Sequence, residues 1–158
     1  MSPETAAPVI VVGVDGSDGS RDAARWAAGQ ARLTGARLRG VASWRWPNYV
    51  TRIPPGADLA ADTSRTLREA LADIRAEFGD VEVSEHVVEG PPGPALLSQA
   101  GDASLLVVGA RGRAAFPGML LGSVAEYCVR HGPCPVVVVR TSTVPSSTVT
   151  SPASGADR

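Results

Sequence analysis

Short runs of Val, Ile and Leu alternate along the chain with longer stretches of helical periodicity. Val9–Val14 is almost continuously apolar, the pattern of a strand covered on both faces. It stops at Asp15-Gly16-Ser17, a turn in which Ser17 is placed to cap a helix. Ser20–Leu33 then sets Ala24, Ala27, Ala28 and Ala31 at helical spacing, a small-residue face suited to close packing on a sheet. Leu38–Ser43 predicts a second strand, and Arg45–Asp58 a loop rich in proline and aromatic residues. Thr63, Leu67, Leu71, Ile74 and Phe78 form one stripe of a second helix that ends at Gly79. Val81–Val88 alternates apolar and polar positions as a third strand. A short helix over Pro94–Ala100 and a fourth strand over Leu105–Val108 follow. A helix over Gly122–His131, basic in its last turn, and a fifth strand over Pro135–Arg140 complete the pattern.

Strands alternating with helices predict an α/β fold: a single-domain, open five-stranded parallel sheet, helices on both faces and right-handed crossovers. In such sheets ligands lie beyond the carboxyl ends of the strands, where the strand order reverses. Two unusual segments fall at those ends: Asp15-Gly16-Ser17, and the stretch that begins at Gly109.

Composition narrows this picture. The 158 residues suit one domain, and an aromatic content of 4% leaves Val, Leu and Ala to build the core. Thr141–Arg158 has Ser or Thr at nine of 18 positions and no aromatic, Leu or Ile, so it cannot repay its own ordering entropy. The expected organisation is a folded unit at 8–141, a loose 1–7 and a disordered 142–158. A formal charge of −1, from 15 basic and 16 acidic residues, leaves no electrostatic footprint for nucleic acid. All 15 basic residues are arginine. Without lysine, the Walker-type P-loop, Schiff-base chemistry and the phosphoacceptor receiver site are excluded. Residues 1–8 have no basic start followed by an apolar run, and no apolar run is long enough to span a bilayer. With only two cysteines as well, the expectation is a cytoplasmic protein with no membrane partner and no disulfide.

The candidate chemistry lies after the fourth strand. Gly109-Ala110-Arg111-Gly112 is followed, nine residues on, by Gly122-Ser123 and the helical Val124-Ala125-Glu126-Tyr127. Glycine at a strand exit permits positive φ and close approach of a ligand to the backbone. A Gly-Ser pair at a helix start offers N–H groups, a hydroxyl and the positive end of the dipole, which favour an anion such as phosphate. Taken singly, each of these residues reads as ordinary turn or cap chemistry.

The full spacing Gly-x2-Gly-x9-Gly-Ser resembles the nucleotide-binding signature of the universal stress protein family, specifically its ATP-binding branch. Val11–Ser17 looks like that family's first strand and turn, and Cys134–Arg140 like its closing strand. The resemblance covers essentially all of 8–141. It implies a Rossmann-like, adenine nucleotide alpha hydrolase-like sheet of order 3-2-1-4-5. It also implies ATP with Mg²⁺ in the cleft. By this likeness Asp15 and Gly109 lie by the ribose, and Gly112, Gly122, Ser123 and the Val124 backbone lie by the phosphates. Main chain near Ala42 or Ser43 meets the adenine, while Val14, Gly16 and Ser17 line the same cleft. Arg111 and Arg113 stand where they would offset phosphate charge. Ala110 departs from the common pattern, in which a serine precedes the arginine, and so removes one hydroxyl. Ser104 stands where many members have Asp. The resemblance further implies a homodimer through the strand Pro135–Arg140, and a nucleotide-dependent sensor or regulator of stress responses with at most slow ATP hydrolysis. The alternatives are a non-nucleotide dimeric signalling protein on the same fold and a weak ATP hydrolase or phosphotransferase.

Other constellations carry less. Cys128, His131 and Cys134 form C-x2-H-x2-C with no fourth ligand in view, and Cys128 reads as a small apolar core group. There is no Gly-x-Ser-x-Gly elbow for a serine nucleophile. His86 is expected to face outward from its strand, and Trp26, Trp44, Trp46 and Tyr49 are too scattered for a base-stacking platform.

Overall fold

The computed structural model describes residues 5–113 and 116–141. The expected disordered tail at 142–158 and the first four residues lie outside them. The strands are Val9–Gly13 (β1), Arg37–Trp44 (β2), Val83–Glu89 (β3), Leu105–Gly109 (β4) and Val136–Val139 (β5). The helices are Asp18–Thr34 (α1), Leu59–Glu77 (α2), Pro92–Gln99 (α3) and Ser123–His131 (α4). All strand pairs are parallel, and the sheet runs β3-β2-β1-β4-β5, as the resemblance implies. The order reverses between β1 and β4, so the site is expected where those strands end.

The apolar run of β1 is buried on both faces, as its continuity predicts. Ile10 and Val12 join Leu38, Ala42 and Val107 beneath α1 and α2. Val9 and Val11 join Val41, Leu106 and Val108 beneath α3 and α4. Ala23, Ala24, Ala27, Ala28 and Ala31 bring α1 close to the sheet, and Leu67, Leu71 and Ile74 anchor α2. Ser17 caps α1 by accepting from the Ser20 N–H, and Gly35 closes it in the left-handed conformation.

Most boundaries shift by a residue or two from the sequence expectation, and three of the shifts have a plain cause. The second helix begins at Leu59, ahead of its apolar stripe, because the Asp58 carboxylate caps it from outside by accepting from the Ala61 N–H. The third begins at Pro92, since proline is tolerated in a first helical turn that has no N–H partner to lose. The third strand starts at Val83, because the Val81 N–H closes a turn onto the Phe78 carbonyl. As an outer strand β3 is only partly covered, which blurs its expected alternation. His86 is half-buried on it, and burial together with the nearby Arg39 guanidinium lowers its pKa. No helix among the described residues is long and apolar enough to cross a membrane.

Candidate functional site

The chain leaves β1 through Val14, whose N–H still donates to the Val41 carbonyl at 2.8 Å. Asp15 follows at the carboxyl edge. One carboxylate oxygen, Oδ1, accepts from both the N–H and the hydroxyl of Ser17. The other, Oδ2, accepts from the Arg113 N–H at 2.9 Å. That second bond ties the β4–α4 loop back to the end of β1. Burial raises the Asp15 pKa, but the Ser17, Arg113 and Ser20 hydrogen bonds outweigh it and hold the carboxyl below its ordinary value.

Close backbone approach explains several glycines here. A Cβ on Gly112 would stand 2.6 Å from Asp15 Oδ2. One on Gly109 would stand 3.0 Å from the Gly19 backbone, and one on Gly19 2.7 Å from the Arg111 carbonyl. The first turn of α1 therefore lies directly on the end of β4. Gly109, Gly112 and Gly122 all have ordinary negative φ, contrary to the expectation that a strand-exit glycine is used for positive φ. Steric room is what the fold takes from them. Gly16 does adopt φ +83°, and its Cβ would press on the Thr66 methyl at 2.8 Å.

At the start of α4 the Gly122 N–H donates to the Ala110 carbonyl at 2.6 Å, so it is not one of the expected free phosphate donors. The Glu126 N–H is the first to turn back onto α4, meeting the Gly122 carbonyl. The N–H groups of Ser123, Val124 and Ala125 have no partner among the described residues, and no side chain caps the helix. They are the donors an anion would meet at this helix start, one residue on from those the sequence predicts.

A cavity of about 630 Å³ opens over these elements. Val14, Asp15, Ser17, Ala42, Ser43, Gly109, Arg111, Gly112, Arg113, Gly122, Ser123 and Val124 all line it, whereas Gly16 does not. Arg111 and Arg113 are exposed at its rim, and the contact Arg113 makes inward is through its backbone. Sequence reasoning missed Asp62, Thr63 and Thr66 of α2 and Pro92 at the start of α3, which also line the cavity. Half of the signal was available: in a parallel α/β sheet every crossover helix begins at the carboxyl edge, which brings the start of α2 near the cleft, although its polar residues alone do not tell which of them face it.

Cys128 is buried, and burial pushes its thiol up to about 11. His131, the last residue of α4, packs at a tilt on Tyr127 with ring centroids 4.7 Å apart.

The family model of the universal stress proteins matches residues 8–140. The chain belongs to the universal stress protein family. A universal stress protein of Mycolicibacterium smegmatis is 36% identical over 132 residues, which are 83% of this chain and 45% of that protein. The chain thus spans about half the length of the curated relatives it matches. Among solved structures, a universal stress protein in complex with cAMP is 34% identical, with a TM-score of 0.65. The alignment covers 87% of this chain and 100% of that one. The Archaeoglobus fulgidus universal stress protein in complex with dAMP is 28% identical with a TM-score of 0.59, covering 84% and 96% of the two chains. The fold therefore agrees with that of the family's solved members.

Proposed function

We propose that this domain binds an adenine nucleotide, ATP with Mg²⁺, in the β1/β4 cleft, and that occupancy acts as a regulatory signal in a stress response. The observation that carries this reading is the row of N–H groups at Ser123, Val124 and Ala125 on the cavity wall, which have no partner among the described residues. With the Ser123 hydroxyl and the rim arginines Arg111 and Arg113, they supply what a polyphosphate needs in a chain without lysine. Ala42 and Ser43 at the end of β2 form the adenine wall, and Asp15 with Gly109 the ribose wall. The cAMP and dAMP complexes of related chains support the adenine nucleotide class. Mg²⁺, bound through the phosphates, would supply the remaining positive charge, and the Ser123 hydroxyl suits an oxygen-preferring ion.

Hydrolysis is expected to be slow. Asp15 is engaged by Ser17 and Arg113 and held ionised at a low pKa, which makes it a poor general base. Phosphate release above background that disappears in Asp15→Ala would instead establish the hydrolase reading. The direct test is to denature the purified protein and identify any released nucleotide by mass. Release of an adenine nucleotide is the expected result, and a nucleotide-free protein that also fails to take up ATP overturns the reading.

The outer edge of β5 has no strand partner among the described residues, and Val136–Val139 are each partly exposed. An apolar edge of this kind favours pairing with a second copy, and we assign it the homodimer contact.

A further inference from the structure

The Arg45–Asp58 segment is long for a connection between a strand and a helix, and the core does not use it. Its turns close on themselves, with the Val50 N–H on the Pro47 carbonyl and the Ala57 N–H on the Pro54 carbonyl. None of its side chains belongs to either core cluster, and Tyr49 is 84% exposed. A loop of this length without a packing role is more often functional than structural. The segment lines a second, largely open cavity of about 590 Å³, which shares Arg45 and Leu59 with the main cleft. Trp46 and Tyr49 line it beside Arg45 and Arg52, and none of its lining residues is acidic. Two aromatic side chains and two guanidinium groups together suit a flat aromatic ring, which can stack on the first and take cation–π contact from the second.

The direction of entry narrows the ligand. The loop leaves β2 immediately after Ala42, Ser43 and Trp44, on the adenine wall. The phosphate donors sit elsewhere, at the start of α4. We propose that the second cavity receives an aromatic substituent carried on the exocyclic amine of an adenine nucleotide seated in the main cleft. This rests on the adenine-nucleotide reading above. A singly substituted amine keeps one N–H for the main chain at the end of β2, so the base need not change its pose.

Calorimetric titration of the full chain with AMP and with N6-benzyl-AMP tests this. The wild-type protein is expected to bind N6-benzyl-AMP about tenfold more tightly than AMP, the scale of one or two stacking contacts. Trp46→Ala combined with Tyr49→Ala should erase that preference and leave AMP affinity within about twofold of wild type. The side chains lie outside the core, so the variant is expected to fold, and circular dichroism checks it. Equal or weaker binding of N6-benzyl-AMP by the wild type overturns the proposal, as does a preference that survives both substitutions. Failure of the nucleotide reading itself is distinguishable, because neither AMP nor ATP with Mg²⁺ would then bind.

Discussion

At the scale of single residues, Asp15 holds the cleft together before any ligand arrives. Its two oxygens join the start of α1 to the β4–α4 loop through Ser17 and Arg113. Gly112 is bound to that arrangement, since any Cβ there meets Oδ2 at 2.6 Å. Overpacking of this kind costs about 1–3 kcal/mol, more than the roughly 0.4–1 kcal/mol an alanine recovers from the unfolded chain. Gly112→Ala is therefore expected to lower stability in chemical denaturation and to weaken nucleotide binding together. An alanine variant as stable as wild type contradicts the close approach. The Asp15 carboxyl also sets a pH dependence. Its folded pKa lies below the ordinary 3.8, so its stabilising contribution is complete above that value. It is lost as pH falls from there through the lower folded pKa. Asp15→Asn should make the acid-side loss of stability shallower, as read from denaturation midpoints across that range.

Among the secondary-structure elements, α2 has two duties. Its inner stripe packs the core: Leu71 is fully buried, and a Cβ on Gly40 would lie 2.6 Å from its methyl group. Its opening turns wall the cleft through Asp62, Thr63 and Thr66. Leu71→Ala is expected to cost about 2–5 kcal/mol, the range for emptying a tightly packed site. Denaturant midpoints measure it, and a loss well under 1 kcal/mol would mean that the sheet relaxes around the gap. The inner stripe was legible in the sequence because burial imposes helical spacing on apolar residues. The cleft-facing duty was hidden, because Thr and Asp near a helix start look the same whether they face solvent or a ligand. Gly19 was hidden for a related reason. Its need arises from the Arg111 carbonyl, a residue brought near only by the fold. The shift of the free donors from Gly122 to Ser123–Ala125 likewise depends on the Ala110 carbonyl, which no local pattern announces.

For the molecule as a whole, strand order and the place of the cleft followed from the alternating βα pattern and from the family resemblance, because parallel sheets admit few arrangements. The missing lysine removes the P-loop route to phosphate, and the proposed function rests instead on the Ser123–Ala125 N–H groups, which have no partner among the described residues. The two sheet edges differ. The outer strand β3 is partly sheltered by Arg75, which bonds Glu85 and the Val83 carbonyl. The β5 edge has no such cover among the described residues, so sedimentation at micromolar concentration is expected to show a dimer. A monomer throughout that range would overturn the assignment of that edge. The nucleotide cleft itself is most directly tested by titrating the intact protein with ATP and Mg²⁺ in a calorimeter. Saturable binding of one nucleotide per chain, weakened in Gly112→Ala, is the predicted result. No detectable binding at millimolar nucleotide would contradict it.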